Sequence, residues 1–140
     1  MAKLIHTSIL INASSEKIWK VLTDFKNYPN WNPFIKQIVG KKAIGSLLHV
    51  QVDTMKFTPR VIAFEKEKQF SWKGKPFIPY LFDGEHSFSL VHESNGSVKF
   101  IHQEKFTGIL PFFLGKKFFQ SIEKGFIKKI LSPFTSHNVS

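Results

Sequence analysis

Hydrophobic and polar positions change their period several times along the chain, and each change marks an element. Residues 3–12, "KLIHTSILIN", form a β-rich run that ends at Asn12. Over 14–25, "SSEKIWKVLTDF", Ile18, Val21, Leu22 and Phe25 recur at helical spacing, with Trp19 beside the stripe. Ser14 is placed to cap this helix, and Glu16 falls in its first turn, where free backbone N–H groups favour an anion. "KNYPNWNPF" then carries two prolines, each biasing the residue before it towards extended geometry, so a second short helix or turn is expected there. Strands follow at 35–40, 46–53, 57–65, 68–73, about 80–92 and 97–108. Pro59, inside its run, predicts an edge position or a bulge.

The last pattern, 110–131, is helical again. Phe118, Phe119, Ile122, Phe126 and Ile130 fall on one side and Lys117, Gln120, Lys124 and Lys128 on the other. Gly115 lies in the apolar stripe and Gly125 at its margin, as openings for a ligand or as points of close helix–sheet packing. Pro133 stops the helix, and 132–140 reads as a flexible tail. Strand, short helices, antiparallel strands and a long helix make an α+β fold in one domain, 1–140. A long helix over a curved sheet leaves a wedge that can hold a ligand.

The two long strands pose a question of register. His86, Phe88 and Leu90 share one parity, and Phe100, His102, Glu104 and Phe106 share one on the return strand. A three-residue loop, Ser94-Asn95-Gly96 with glycine left-handed, pairs residues whose numbers sum to 190. Leu90 then faces Phe100, Phe88 faces His102 and His86 faces Glu104, with both apolar sets on one face. A two-residue turn would put them on opposite faces. Two histidines and a carboxylate therefore share the helix-facing side, where an imidazole opposite Glu104 relieves the cost of burying it.

Composition narrows the rest. With 140 residues, 42% of them hydrophobic and 16 of them Phe, the chain can fill a core. It has no cysteine, which excludes disulfide and thiolate chemistry and suits a reducing compartment. The N-terminal sequence lacks a signal-peptide pattern and no stretch is long and apolar enough to span a membrane, so a soluble, cytoplasmic protein is expected. The net charge of +10 invites an anionic partner, yet Arg60 is the only arginine and no nucleic-acid-binding signature occurs. The lysines are spread along the chain and read as a solvated surface, leaving room for weak contact with anionic membranes but not for specific nucleic-acid binding.

Taken in order, several stretches resemble the SRPBCC superfamily of START-like, helix-grip domains, in its polyketide cyclase/dehydrase-type short bacterial subgroup. They are "INASSEKIWKVLTDFKNYPNWNPFIKQIVG" (11–40), with its DF..Y..WNPF signature, "LFDGEHSFSL" (81–90), "FIHQEKFTGIL" (100–110) and "GFIKKIL" (125–131). The resemblance implies a curved seven-stranded antiparallel sheet gripping the C-terminal helix around an apolar cavity, and binding of lipids, polyketides or similar molecules. It transfers no catalytic motif, because the superfamily mixes carriers, cyclases and hydrolases.

The expected ligand is therefore an apolar small molecule. Trp72, Phe88, Phe106, Phe119, Ile122 and Phe126 are expected to form walls, and His86, His102 and Glu104 a polar spot. No cofactor and no metal are expected, although two His and one carboxylate are the donor set of a facial triad. A second hypothesis is a cyclase, dehydratase or hydrolase with His86 and Glu104 as its acid–base pair. A third is a basic module for a membrane or partner protein. Trp31 reads as core or as closing the mouth of the site, and Arg60 as solvent-facing or as a partner of Glu104 or of a ligand carboxylate.

Overall fold

In a computed structural model, the described residues are 2–52, 54–74, 83–107 and 116–131. Strand β1 (Ala2–Ile11) leads to helix α1 (Ser15–Thr23) and a 3-10 helix, Phe25–Asn30. Ser14 caps α1 by accepting from the Lys17 N–H at 3.1 Å, and Glu16 occupies the first turn. Ile18, Trp19, Val21 and Leu22 are buried. The buried Tyr28 hydroxyl donates to the Leu22 carbonyl and ties the 3-10 helix back to α1.

Strands β2 (Ile35–Gly40), β3 (Leu48–Val52) and β4 (Met55–Phe57) form one antiparallel sheet. β5 (Arg60–Glu65), β6 (Gln69–Gly74), β7 (Asp83–His92) and β8 (Val98–Thr107) join β1 in a second, ordered β1-β8-β7-β6-β5. The expected strand 57–65 is split between β4 and β5, so the described residues hold eight strands where the resemblance implies seven. Pro59 explains the break, because it has no N–H to give a ladder. The two sheets still touch there: Leu47 bridges Arg60, and the Leu48 N–H donates to the Pro59 carbonyl at 2.8 Å. A register shift between Val61 and Ala63 adds the bulge that the proline signalled.

Helix α2 (Lys116–Ile130) covers one face of the larger sheet. Phe126 and Ile130 are buried, and Phe126 packs on Phe100 of β8 and on Trp31, with ring centroids 4.7 and 4.9 Å apart. Gln120, Lys124 and Lys128 are exposed, as the helical pattern requires. Residues 110–115 of the expected helix, Gly115 among them, and the tail 132–140 lie outside the described residues. Gly125 is a point of close packing rather than an opening. A Cβ placed on it would lie 1.9 Å from the Trp31 carbonyl oxygen.

Candidate functional site

The β7–β8 hairpin has the register in which paired numbers sum to 190: Leu90 opposes Phe100, Phe88 opposes His102 and His86 opposes Glu104. The turn sets it. Glu93 N–H donates to Ser97 O at 3.0 Å, Asn95 Oδ1 accepts from Ser97 N–H at 3.1 Å, and Gly96 has φ 88°. A left-handed residue at that point brings the strands back in step, and glycine adopts it without Cβ strain. On the other side of β7, Trp72 opposes His86 and Phe70 opposes Phe88. Backbone pairing alone thus brings four ring-bearing or ionisable side chains around His86.

The ionisable groups form a chain. His86 Nδ1 lies 2.5 Å from Glu104 Oε2, and His86 Nε2 lies 2.6 Å from His102 Nε2. A carboxylate can only accept, so Nδ1 carries a proton and the second imidazole edge is left to His102. The Nε2–Nε2 contact needs one proton, supplied by either ring. His102 is fully buried, and that burial, with His86 next to it, holds its pKa well below the ordinary histidine value. At neutral pH His102 is therefore neutral. His86, the middle member, is the most accessible of the three, 14% exposed against 8% for Glu104.

Aromatic rings fix the chain in place. His102 stacks on Phe88 with centroids 4.8 Å apart and 19° between planes. His86 packs against Trp72 at 5.2 Å and Phe88 at 4.7 Å. A ligand that reached His86 would also touch the half-buried Trp72.

One further carboxylate belongs to this face. Glu123 of α2 is 7% exposed and accepts a hydrogen bond from the hydroxyl of Thr7, whose partner across β1–β8 is His102. Sequence reading by parity did not single it out. The signal was present: at 100° per residue Glu123 falls beside Ile130 at the edge of the apolar stripe, and it is the one acid of α2. Thr7 likewise shares the parity of Ile9 and the buried Ile11 on β1.

Of the residues expected in the site, Trp72, His86, Phe88, His102 and Glu104 come together as described. Phe126 is buried against Phe100 and Trp31. The side chains of Phe106, Phe119 and Ile122 lie outside the described residues. Trp31 is core, 6% exposed between Tyr28 and Phe126. Arg60 is exposed and donates to the Gly45 carbonyl at 2.6 Å, so it pairs there and not with Glu104. Among the described residues no cluster of three or more metal-ligating side chains is arranged to hold an ion. His86 commits both ring nitrogens to Glu104 and His102.

Residues 3–132 match the family described as "Polyketide cyclase / dehydrase and lipid transport". The chain belongs to that family. Members of this family, by that description, handle hydrophobic small molecules in general. No curated protein matches the chain by sequence. Solved structures share the family's helix-grip architecture at low identity. A START superfamily protein from Mycobacterium smegmatis superposes with a TM-score of 0.73 at 21% identity, covering 91% of this chain and 96% of that one. A hypothetical protein from Helicobacter pylori gives 0.76 at 14%, covering 89% and 86%. Norcoclaurine synthase from Thalictrum flavum, in complex with dopamine and hydroxybenzaldehyde, gives 0.69 at 14%, covering 94% and 87%. At these identities the likeness is one of fold. No helix among the described residues is long and apolar enough to cross a membrane.

Proposed function

We propose that this protein binds an apolar small molecule between the larger sheet and α2, within a single domain, with the Glu104–His86–His102 chain as the polar spot that orients it. The observation that carries this reading is that hydrogen-bonded trio, on the face α2 covers, with its most accessible member, His86, flanked by Trp72 and Phe88. Family membership supports the apolar character of the guest. Such sites commonly pair apolar walls with a few convergent polar groups. Native mass spectrometry of the purified protein should show a co-purifying apolar molecule, or a neutral dye such as N-phenylnaphthylamine should bind and quench tryptophan. Trp72→Phe should remove most of that quenching. If no dye binds and nothing co-purifies, the reading fails.

The same geometry favours one catalytic alternative. Glu104 holds His86 with Nδ1 protonated, the tautomer in which Nε2 acts as a base. That nitrogen is 2.6 Å from His102, so a substrate proton would have to displace the His102 contact. Binding is therefore the simpler use of the site. For an enzyme, His86→Gln would abolish turnover while dye binding stayed; a variant that turned over normally would rule catalysis by His86 out.

A further inference from the structure

Apolar side chains exposed one at a time are ordinary on a protein surface; a group of them ringed by one sign of charge is not. Half of the eight large exposed hydrophobic side chains among the described residues, Val39, Ile44, Leu47 and Ile62, gather where the loop between β2 and β3 meets β5. Backbone bonds build the group. Gly45 N–H donates to the Val61 carbonyl at 2.8 Å and Val61 N–H to the Ser46 carbonyl at 2.9 Å, which sets Ile44 beside Ile62. Leu47 bridges Arg60, and Val39 opposes His49 across β2–β3 on the same outward parity as Leu47. Ile44 is 66% exposed, and the loop is fastened so that it stays so: Arg60 Nη1 donates to the Gly45 carbonyl at 2.6 Å, and Gly45 has φ 92°.

The charge around this group has one sign. Lys41 and Lys42 are exposed just before Ile44, with Lys42 Nζ over the Phe25 ring at 5.1 Å. From 25 to 64 the chain holds six basic residues against one acid, Asp53. Along the cross-strand row Arg60 neighbours Lys73, and the first acid reached is Glu85 on β7.

We infer that this loop is a docking surface for an anionic lipid bilayer. Ile44, with Leu47 and Ile62 behind it, enters the boundary between headgroups and acyl chains, and Lys41 and Lys42 meet the lipid phosphates. Aliphatic side chains gain there by leaving water and the cations beside them gain from the negative surface potential, so both contributions act at one place. A nucleic acid offers phosphates but no place for three aliphatic side chains. Arginine forks and stacked aromatic rings would grip it, whereas the sole arginine is tied to Gly45 and the exposed group is entirely aliphatic. The loop is on the outward side of the sheets, away from the face α2 covers, so the inference does not depend on a guest bound there.

The test is co-sedimentation of the full-length protein with vesicles of equimolar phosphatidylglycerol and phosphatidylcholine, and with vesicles of phosphatidylcholine alone, at about physiological salt. The anionic vesicles should bind at least about 10-fold more strongly. Lys41→Gln together with Lys42→Gln should weaken that binding by about 10-fold or more, and Ile44→Ser by about 10-fold. Lys124→Gln together with Lys128→Gln, the same charge change on the exposed side of α2, and Val91→Ser, an exposed apolar position on β7, should each leave it near the wild-type value. Equal binding of wild type to the two kinds of vesicle overturns the inference and needs no variant to fold. An equal loss from the two lysine pairs overturns it as well, because the attraction would then be diffuse, as does an Ile44→Ser protein that binds like wild type. Retention of a DNA duplex at the same salt without binding to anionic vesicles would assign the loop to nucleic acid instead.

Discussion

Replacing Gly125 by alanine separates what the sequence suggests from what the packing demands. On helix propensity alone, Gly→Ala in the interior of α2 should stabilise by up to about 1 kcal/mol. The structure predicts the opposite sign. The new Cβ would sit 1.9 Å from the Trp31 oxygen and 3.1 Å from its carbonyl carbon, both backbone atoms that cannot swing aside. An ordinary carbon–oxygen contact is about 3.3 Å, so α2 or the segment after the 3-10 helix must retreat by more than about 1 Å. Such a retreat opens the Trp31–Phe126 and Phe100–Phe126 contacts at 4.9 and 4.7 Å. Overpacking of this kind costs about 1–3 kcal/mol, and here it lands on the two rings that seat the helix. A net loss of about 2 kcal/mol is expected, or a fall in Tm of roughly 5–10 °C for a domain of this size. Thermal unfolding followed by circular dichroism measures it, with Gln120→Ala on the exposed face as a propensity control that should stay within about 0.5 kcal/mol. A Gly125→Ala protein as stable as wild type, or more so, would show that the close approach of α2 to Trp31 is not real.

Three further outcomes concern the polar face and the turn of its hairpin. His102 has a depressed pKa in the folded protein, so the unfolded chain binds the extra proton; stability is held above about pH 6.5 and declines as pH falls below it, by up to about 1.4 kcal/mol per unit. Urea unfolding at about pH 7.5 and 5.5 should show this decline in wild type and a flatter one in His102→Phe, and equal slopes would refute the assignment. Thr7→Val leaves the buried Glu123 carboxylate without its donor and should cost about 1–3 kcal/mol. Thr7→Val combined with Glu123→Leu should recover most of that loss, since replacing both partners by apolar groups is often near neutral; a double variant that loses the sum of both singles argues against the contact. Gly96→Ala should destabilise by about 1 kcal/mol in the same assay, because its φ of 88° belongs to the left-handed region; no change would mean the turn relaxes.

How much of this could be read in advance depends on whether the information is local. Parity and turn length are local, so the His86–Glu104 and Phe88–His102 pairings follow from the Ser94-Asn95-Gly96 loop. The cap at Ser14 and the break at Pro59 are local as well. The proline signalled an irregularity, but a bulge and a complete break look alike until the neighbouring strands are known. Here the break falls where Leu47 and Leu48 meet Pro59 and Arg60, a contact of residues far apart in the chain. Gly125 was ambiguous for the same reason, since only the position of Trp31 decides between an opening and a close approach.

Glu123 marks the harder limit. Periodicity places it at the edge of the apolar stripe of α2, but a carboxylate at such an edge has two meanings: a helix rotated to expose it, or a buried partner on whatever the helix covers. Choosing between them requires the strand opposite, and that strand is β1, more than one hundred residues earlier in the chain. Thr7 is unremarkable on its own for the same reason. Once paired, the two explain each other, and they place a helix carboxylate next to the backbone of His102. Burying this set costs solvation that an all-apolar face would not lose, so stability alone does not account for it. A site that must orient a polar group of a ligand gives that buried polar set a use, and that is the physical link between the hairpin's ionisable residues and the proposed binding.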